Sequence, residues 1–266
     1  NEDLPPTSSF MVVDKRGNLG VIYFATPWKR WPLIEQSGIN EKGLCFDINW
    51  IPKEKLIPQP EKLRQNEWLI TQLMQEAATV EEVRERIFAY NWGDSISYQV
   101  HFADTSGDAA IIHPGLNGEL AFSRRSKGRD YLVSTNYNHA RRLRASWIGL
   151  DFPYKLLFDS KFRAADGMLG GMDSDQDVSL EFMASVLEAT HRNWWFNTPL
   201  SIKTAYSTIF DPRSLRIYLY FNRQFDYPHM IDVQRELDES ASYKKVSLAD
   251  LVSHGTRHMK IAPVKP

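Results

Sequence analysis

Cysteine is almost absent from this chain. Cys45 is the only one in 266 residues, which excludes an internal disulfide and any zinc site built on several thiolates. Long apolar runs are missing as well, and no stretch approaches the ~18 apolar residues that a membrane-spanning helix needs. Charge of one sign is not in excess, with 32 basic against 33 acidic side chains. That balance argues against a broad nucleic-acid footprint or a polybasic membrane anchor. There is no repeat period, no low-complexity tract and no obvious linker, so a single domain over residues 1–266 is expected. A basic-then-apolar leader is also lacking. The chain opens with Asn1-Glu2-Asp3 rather than Met, the start expected of a fragment or a processed product. The compartment therefore stays open.

What is present can fold. With 42% hydrophobic and 12% aromatic residues, the chain can bury a full core. Short runs rich in β-branched and aromatic residues alternate with turn signals and predict strands at 9–14, 19–25 and 44–50. A meander is predicted over 98–103, 109–113, 119–123 and 131–134, and a hairpin joins 203–210 to 215–221 across Asp211-Pro212-Arg213-Ser214. Helical periodicity appears at 61–77, at a helix opening with the capping box Thr79-Val80-Glu81-Glu82, at 154–168, and at 180–191 behind Asp177 and Ser179. The Gly- and Asp-rich stretch 167–177 reads as a loop. Antiparallel strands with helices in pairs predict an α+β fold rather than a doubly wound one.

Four motifs then stand in a definite order. Gly38-Ile39-Asn40-Glu41-Lys42-Gly43-Leu44 is followed by Asn49 and Pro52, next by Thr79-Val80-Glu81-Glu82-Val83. After these come Ala103-Asp104-Thr105-Ser106-Gly107-Asp108 and Ser134-Thr135-Asn136. This series resembles the N-terminal-nucleophile hydrolases of the choloylglycine hydrolase and penicillin acylase group. Asn1-Glu2-Asp3 is similar to the end of the family signature that follows the catalytic Cys. The resemblance thus covers nearly the whole chain, is loosest at 149–197, and begins after the nucleophile.

The resemblance implies a four-layer αββα sandwich and cleavage of a linear, non-peptide amide through an acyl-enzyme on an upstream Cys. Acyl transfer to another amine, or a catalytically dead ligand-binding relative, are its variants. In such enzymes the α-amine of the nucleophile serves as base, its ordinary pKa of about 7.7–8.0 suiting that task. By resemblance Asp3 would hold the nucleophile in line. Asn136 would offer its side-chain N–H to the oxyanion, Asn49 a backbone N–H, and Arg163, with Lys161 as competitor, would complete the site. No cofactor or metal is implied. The expected partner is a small acyl-amide substrate, with no nucleic acid and no membrane span, and a homo-oligomer stays open.

Other constellations compete. Cys45 with His101 would make a Cys/His pair, but a lone Cys in an apolar strand is more often core filler. His254 and His258 are spaced for one helix face, yet lack a third ligand nearby. The basic cluster Arg124, Arg125, Lys127, Arg129, Arg141, Arg142 and Arg144 would draw an anionic substrate tail if it were not simply a solvated loop. Trp194-Trp195-Phe196, with Trp28, Trp31 and Trp50, would suit an acyl pocket if they did not serve the core.

Overall fold

The structure is a computed structural model that describes residues 9–28, 31–64, 69–125, 130–142, 152–172, 178–191 and 204–254. In chain order it contains β1 (Phe10–Asp14), β2 (Val21–Trp28), β3 (Trp31–Asn40), β4 (Cys45–Lys55) and β5 (Leu63–Arg64). Helices α1 (Leu69–Glu76) and α2 (Val80–Ile87) follow, then β6 (Tyr90–Asn91), β7 (Ser95–Ala103), β8 (Ala109–Pro114) and β9 (Leu120–Arg124). Next come α3 (His139–Arg142), α4 (Phe152–Gly170), α5 (Leu180–Thr190), β10 (Tyr206–Asp211), β11 (Arg216–Phe221) and β12 (His229–Asp232). The described part closes with α6 (Val233–Glu239), β13 (Tyr243–Ser247) and α7 (Leu248–His254).

Eight strands form one antiparallel sheet in the order β13-β1-β2-β3-β4-β7-β8-β9, and β10-β11-β12 form a second. Side chains alternate between the two faces of a strand, so each face of the large sheet has its own core. One face carries Val12, Tyr23, Phe46, Ile48, Val100 and Phe102 against Leu69, Leu73 and Met74 of α1 and Val80, Val83 and Ile87 of α2. The opposite face carries Met11, Val13, Ile22, Phe24, Ile39 and Cys45. It meets Tyr206, Ile217, Leu219 and Ile231 of the small sheet, with Val233 and Leu237 of α6. The far side of the small sheet, through Tyr220, Tyr218 and Ile209, packs on Ala184 and Leu187 of α5, and α4 lies against α5. The fold is therefore mixed, with antiparallel sheets and helices, as expected.

Three expectations need correcting. The helix expected at 61–77 is only α1, because Leu63 and Arg64 instead pair in parallel with Tyr90 and Asn91. Leu63 also donates its backbone N–H to Ala89 O at 3.0 Å, and Pro58 and Pro60 just upstream disfavour an earlier helical start. The meander ends at β9, and 131–134 forms no strand and does not join the sheet. Helix α4 continues through Gly170, consuming the first part of the stretch read as a loop. Strands β3, β5, β6, β12 and β13 and helices α3, α6 and α7 were not anticipated.

The motifs that carried the resemblance prove to be joints of the fold. Asn40 is fully buried, and its Nδ2 donates to Met74 O (2.8 Å) and Ala77 O (2.7 Å) at the end of α1. Its Oδ1 accepts from Lys42 N and Leu44 N, both at 3.0 Å, so one amide uses its full capacity to close the β3–β4 turn and dock α1. Gly43 sits at φ 82°, where a Cβ would also lie 2.6 Å from Pro212 O. Thr79 caps α2 by accepting from Glu82 N at 3.2 Å. The Glu82 carboxylate accepts from Ala78 N at 2.7 Å, one residue before the position a capping box uses.

Candidate active site

Strand β4 carries Cys45, Asp47 and Asn49 at alternate positions, all on the face that looks toward the small sheet. Its register with β7 sets Asp47 opposite His101 and Asn49 opposite Gln99. Its register with β3 sets Ser37 opposite Asp47. Beyond the apolar cluster that contains Cys45, this face therefore turns polar, with Ser37, Asp47 and His101 in one row across three strands.

A hydrogen-bond chain runs through these groups. Asn49 Nδ2 donates to Asp47 Oδ2 at 2.9 Å. Ser134 Oγ donates to Asn49 Oδ1 at 2.6 Å and stands 3.3 Å from His101 Nδ1. Since the single hydroxyl proton of Ser134 points at Asn49, His101 supplies the proton to Ser134 and is the Nδ1–H tautomer. Desolvation lowers the His101 pKa to about 4, so the ring is neutral near pH 7. Desolvation also raises the Asp47 carboxyl above its ordinary range, against the opposing effects of the positive charge of the amino terminus and, after it, of the Asn49 bond. Each of these side chains is only half-buried, so they line a recess that water reaches from one side while the surrounding protein removes most of their hydration.

The segment 134–139 lies across β7 and is held there by Gln99, which is fully buried. Gln99 Nε2 donates to Thr135 O (2.8 Å) and Tyr137 O (3.1 Å). Its Oε1 accepts from His139 N at 3.0 Å. Tyr137 N donates to Thr135 O at 2.8 Å, closing a three-residue turn with Asn136 at its apex. The half-buried Asn136 side chain makes no hydrogen bond among the described residues. Asn138 then caps α3 by accepting from Ala140 N at 3.0 Å and donates to Glu54 at 3.1 Å. Arg141 forks onto the same Glu54 carboxylate at 2.6 and 2.9 Å.

Of the expected site residues, Asn49 and the segment bearing Asn136 come together through Ser134. Asp3 lies outside the described residues. Arg163 stands on an exposed face of α4 and is bonded to none of Asp47, Asn49, Ser134 or His101. The Cys45–His101 pair does not form. Cys45 Sγ donates to Ala103 O at 3.4 Å and burial pushes its thiol up to about 12, while His101 bonds Ser134. Asp47, Ser134 and Gln99 were not anticipated, although polar residues at every second position of apolar strands mark such a face. Trp50 is on the opposite face of β4, edge-on to Tyr98 with ring centroids 6.3 Å apart, and does not line the recess. Arg124 pairs with Glu81 and with Asp108 at 2.9 Å, and Arg125 lies 3.7 Å from Asp130, so these two cations are largely neutralised. Trp194, Trp195, Phe196, Lys127, Arg129, Arg144 and His258 lie outside the described residues, as do the side chains of Trp28, Trp31, Arg142 and His254. Among the described residues no group of His, Cys, Asp and Glu could hold a metal.

No protein-family model matches the chain, and no curated protein matches its sequence. Solved structures do match. Penicillin V acylase from Agrobacterium tumefaciens superposes with a TM-score of 0.65 at 16% identity, over 97% of this chain and 91% of that one. This chain has the penicillin V acylase fold. Two variants of conjugated bile acid hydrolase from Clostridium perfringens share it, with TM-scores of 0.63 and 0.60 at 14% identity. They cover 92% and 90% of this chain and 90% and 88% of their own. The likeness to the choloylglycine hydrolase and penicillin acylase group therefore holds at the level of the whole acylase fold and extends beyond the four short motifs.

Proposed function

We propose that this chain is a hydrolase of linear, non-peptide amides that works through an acyl-enzyme on an N-terminal Cys lying upstream of Asn1. The observation that carries this reading is Asn136, whose unbonded side-chain amide is presented at the apex of a braced turn two residues after Ser134, which bonds Asn49, in an acylase fold. The contact order of α1 and α2, large sheet, small sheet and α5 supports an αββα sandwich folded as one domain.

In this reading the α-amine of the nucleophile takes the thiol proton as sulfur attacks the amide carbon. The oxyanion is met by Asn136 Nδ2–H. The Asn49 side chain spends one of its two N–H groups on Asp47 and its oxygen on Ser134, and by resemblance to the acylases its backbone N–H shares the hole. Asp3 orients the nucleophile and Arg163 completes the polar surround. Collapse expels the amine, which receives the proton back, and water then releases the carboxylic acid. Acyl transfer differs only in the acceptor that meets the same acyl-enzyme.

The test is turnover of a panel of aromatic, fatty and bile-acid acyl amides by the protein bearing a free N-terminal Cys. Asn136→Ala is expected to lower kcat by roughly 10²–10³-fold, the usual loss for one oxyanion donor, with KM little changed. Absence of turnover across the panel, or an unchanged kcat in Asn136→Ala, would overturn the reading.

A further inference from the structure

The geometry points to a second binding site, a cleft between segment 56–63, residues 88–92 and the turn at 115–119. It takes a small aryl carboxylate, with the ring against Phe88, Tyr90 and Trp92 and the charge on Lys62. The cleft encloses about 200 Å3 and lies on the α1 and α2 side of the large sheet, where Phe88, Tyr90, Trp92 and Leu120 pack on the core. The recess at Asn49 and Ser134 belongs to the opposite face. Its walls are fixed by the chain itself. Leu56 N donates to Asp94 O at 2.8 Å and Ile57 N to Gly118 O at 2.7 Å. Gln59 N donates to Asn91 Oδ1 at 3.1 Å and Leu63 N to Ala89 O at 3.0 Å, and Pro58 and Pro60 restrict the backbone between these ties. Trp92 Nε1 donates to Ile87 O at 3.2 Å and its ring stands edge-on to Tyr98, centroids 6.3 Å apart, while Phe88 meets Phe122 at 6.4 Å.

Lys62 decides the sign of the ligand. It lines the cleft half-buried, and among the described residues its ammonium makes neither an ion pair nor a hydrogen bond. Glu119 lines the cleft too, but it is exposed and its carboxylate already accepts from Asn117 Nδ2 at 2.8 Å. A partly desolvated cation with no partner gains most from a carboxylate, through a charge-assisted hydrogen bond. The Tyr90 hydroxyl and the Gln59 side-chain amide are likewise unbonded among the described residues. Three aromatic rings, two apolar side chains in Leu56 and Leu120, and a few unspent polar groups make the usual composition of a small-molecule site. The volume falls below the roughly 300–1,000 Å3 of sites for drug-sized ligands, which limits the occupant to one or two fused rings. Exposed apolar side chains gather at the same place, since Ile57 and Leu63 on the segment and Leu116 on the turn are all exposed. Single exposed apolar residues are ordinary, whereas such a grouping marks a binding surface. Nothing in this inference depends on amide hydrolysis.

The experiment titrates the 266-residue chain with three probes that share one ring system and differ in the head group: indole-3-acetate, neutral indole-3-ethanol and cationic tryptamine. Backbone amide shifts and the Trp92 indole N–H are followed at constant ionic strength. Indole-3-acetate is expected to give saturable shifts at Ile57, Tyr90, Trp92 and Gly118, with His101 and Ser134 unmoved. Indole-3-ethanol should bind about fivefold more weakly or worse, the step for one charge-assisted hydrogen bond at a half-exposed site, and tryptamine more weakly still. Lys62→Met should bring indole-3-acetate down to the level of indole-3-ethanol while leaving indole-3-ethanol unchanged, and Lys62→Arg should restore the preference. Tyr90→Ala should weaken both probes by removing a wall. Should it fail to fold, Lys62→Met, at a half-buried surface position, carries the test. Linear shifts, or unaltered indole-3-acetate affinity in Lys62→Met, would overturn the site. Tighter binding of tryptamine would also overturn it, because the rings and Glu119 would then form a cage for cations. Shifts confined to His101 and Ser134 would place the acid in the other recess and sink the proposal. So would concentration-dependent dimerisation through Ile57, Leu63 and Leu116 that indole-3-acetate does not relieve, since a second copy of the chain would then cover the cleft.

Discussion

The Asp104 carboxylate accepts the backbone N–H of Val80 at 2.9 Å, so the turn after β7 caps the first turn of α2. Its other oxygen accepts from Ser106 N at 2.9 Å and Ser106 Oγ at 2.5 Å, holding the turn itself. Removing this buried group orphans a helix N-terminal donor and the turn together. Asp104→Ala is expected to lower stability by about 2–3 kcal/mol, near the upper range for a lost cap with unsatisfied buried donors. Urea melts of the two proteins check it, and a change within error would mean that water replaces the carboxylate.

Asn40 invites a sharper case, because its one amide serves two carbonyls of α1 and two N–H groups of its own turn. Asn40→Ala is expected to cost about 3–5 kcal/mol, as several buried groups lose partners at once. Asn40→Asp keeps the shape and the two acceptor bonds but turns a carboxylate toward Met74 O and Ala77 O. It should destabilise at neutral pH and recover in part in acid, where a protonated Asp can donate once. A melt that shows Asn40→Asp equal to wild type at pH 7 would refute this account.

These joints explain what was legible in the sequence. Asn40, Thr79 and Asp104 act over short spans or at element ends, where turn chemistry and capping leave a local signature. The acylase likeness was therefore readable from residues that build the scaffold. Asn49 and Asn136 could be placed beside it only by resemblance. Ser134 reaches Asn49 across 85 positions, and Gln99 braces a segment 36 to 40 residues away. Neither link has any signature within a short window. Ser37 and Asp47 meet only through the β3–β4 register, in a strand whose bulge between Glu35 and Ser37 obscures the alternation. The helix expected at 61–77 failed for a similar reason, since its first part pairs with Tyr90 and Asn91.

Glu35 gives a prediction on pH. It is buried beneath α1 with one side-chain bond, from Thr71 Oγ1 at 2.7 Å, and burial raises its pKa above the ordinary 4.5. A carboxyl whose folded pKa is raised holds its proton more tightly when folded. Stability is then full below about pH 4.5 and falls as pH rises from there to the folded value. Glu35→Gln can still accept from Thr71 and carries no charge, so it should melt higher than wild type at pH 7. The advantage should vanish below pH 4.5. Thermal melts across pH 3.5–8 check this, and a constant difference would rule out ionisation as the cause.

His101 carries the opposite sign. Its folded pKa of about 4 lies below the ordinary 6.5. The folded state therefore binds the proton less readily than the unfolded chain. Its contribution to stability is complete above pH 6.5 and lost as pH falls from 6.5 toward 4. Ring resonances of His101 should show the neutral Nδ1–H form throughout pH 5–8, and His101→Gln should flatten the loss of stability between pH 6.5 and 4. A ring that titrates near 6.5 would mean the recess is wet and the chain through Ser134 is open.

Gln99 decides whether Asn136 is held or merely nearby. Its two N–H groups reach the carbonyls of Thr135 and Tyr137, and its oxygen takes the N–H of His139. Gln99→Glu keeps the size and the acceptor but sets a carboxylate against two carbonyl oxygens. It should release the turn that presents Asn136 while leaving the sheet intact. Gln99→Leu should release it as well, without the repulsion. Hydrogen exchange at the amides of Tyr137 and His139 is expected to quicken at least tenfold in both variants, with exchange in β1 and β2 unchanged. In the form competent for amide hydrolysis, kcat should fall with KM nearly constant, because a displaced oxyanion donor is lost to the transition state more than to the ground state. If exchange quickens and kcat does not move, Gln99 braces the loop only and Asn136 is not the donor. If neither moves, the turn is held by its own Thr135–Tyr137 bond and the role of Gln99 as the brace fails.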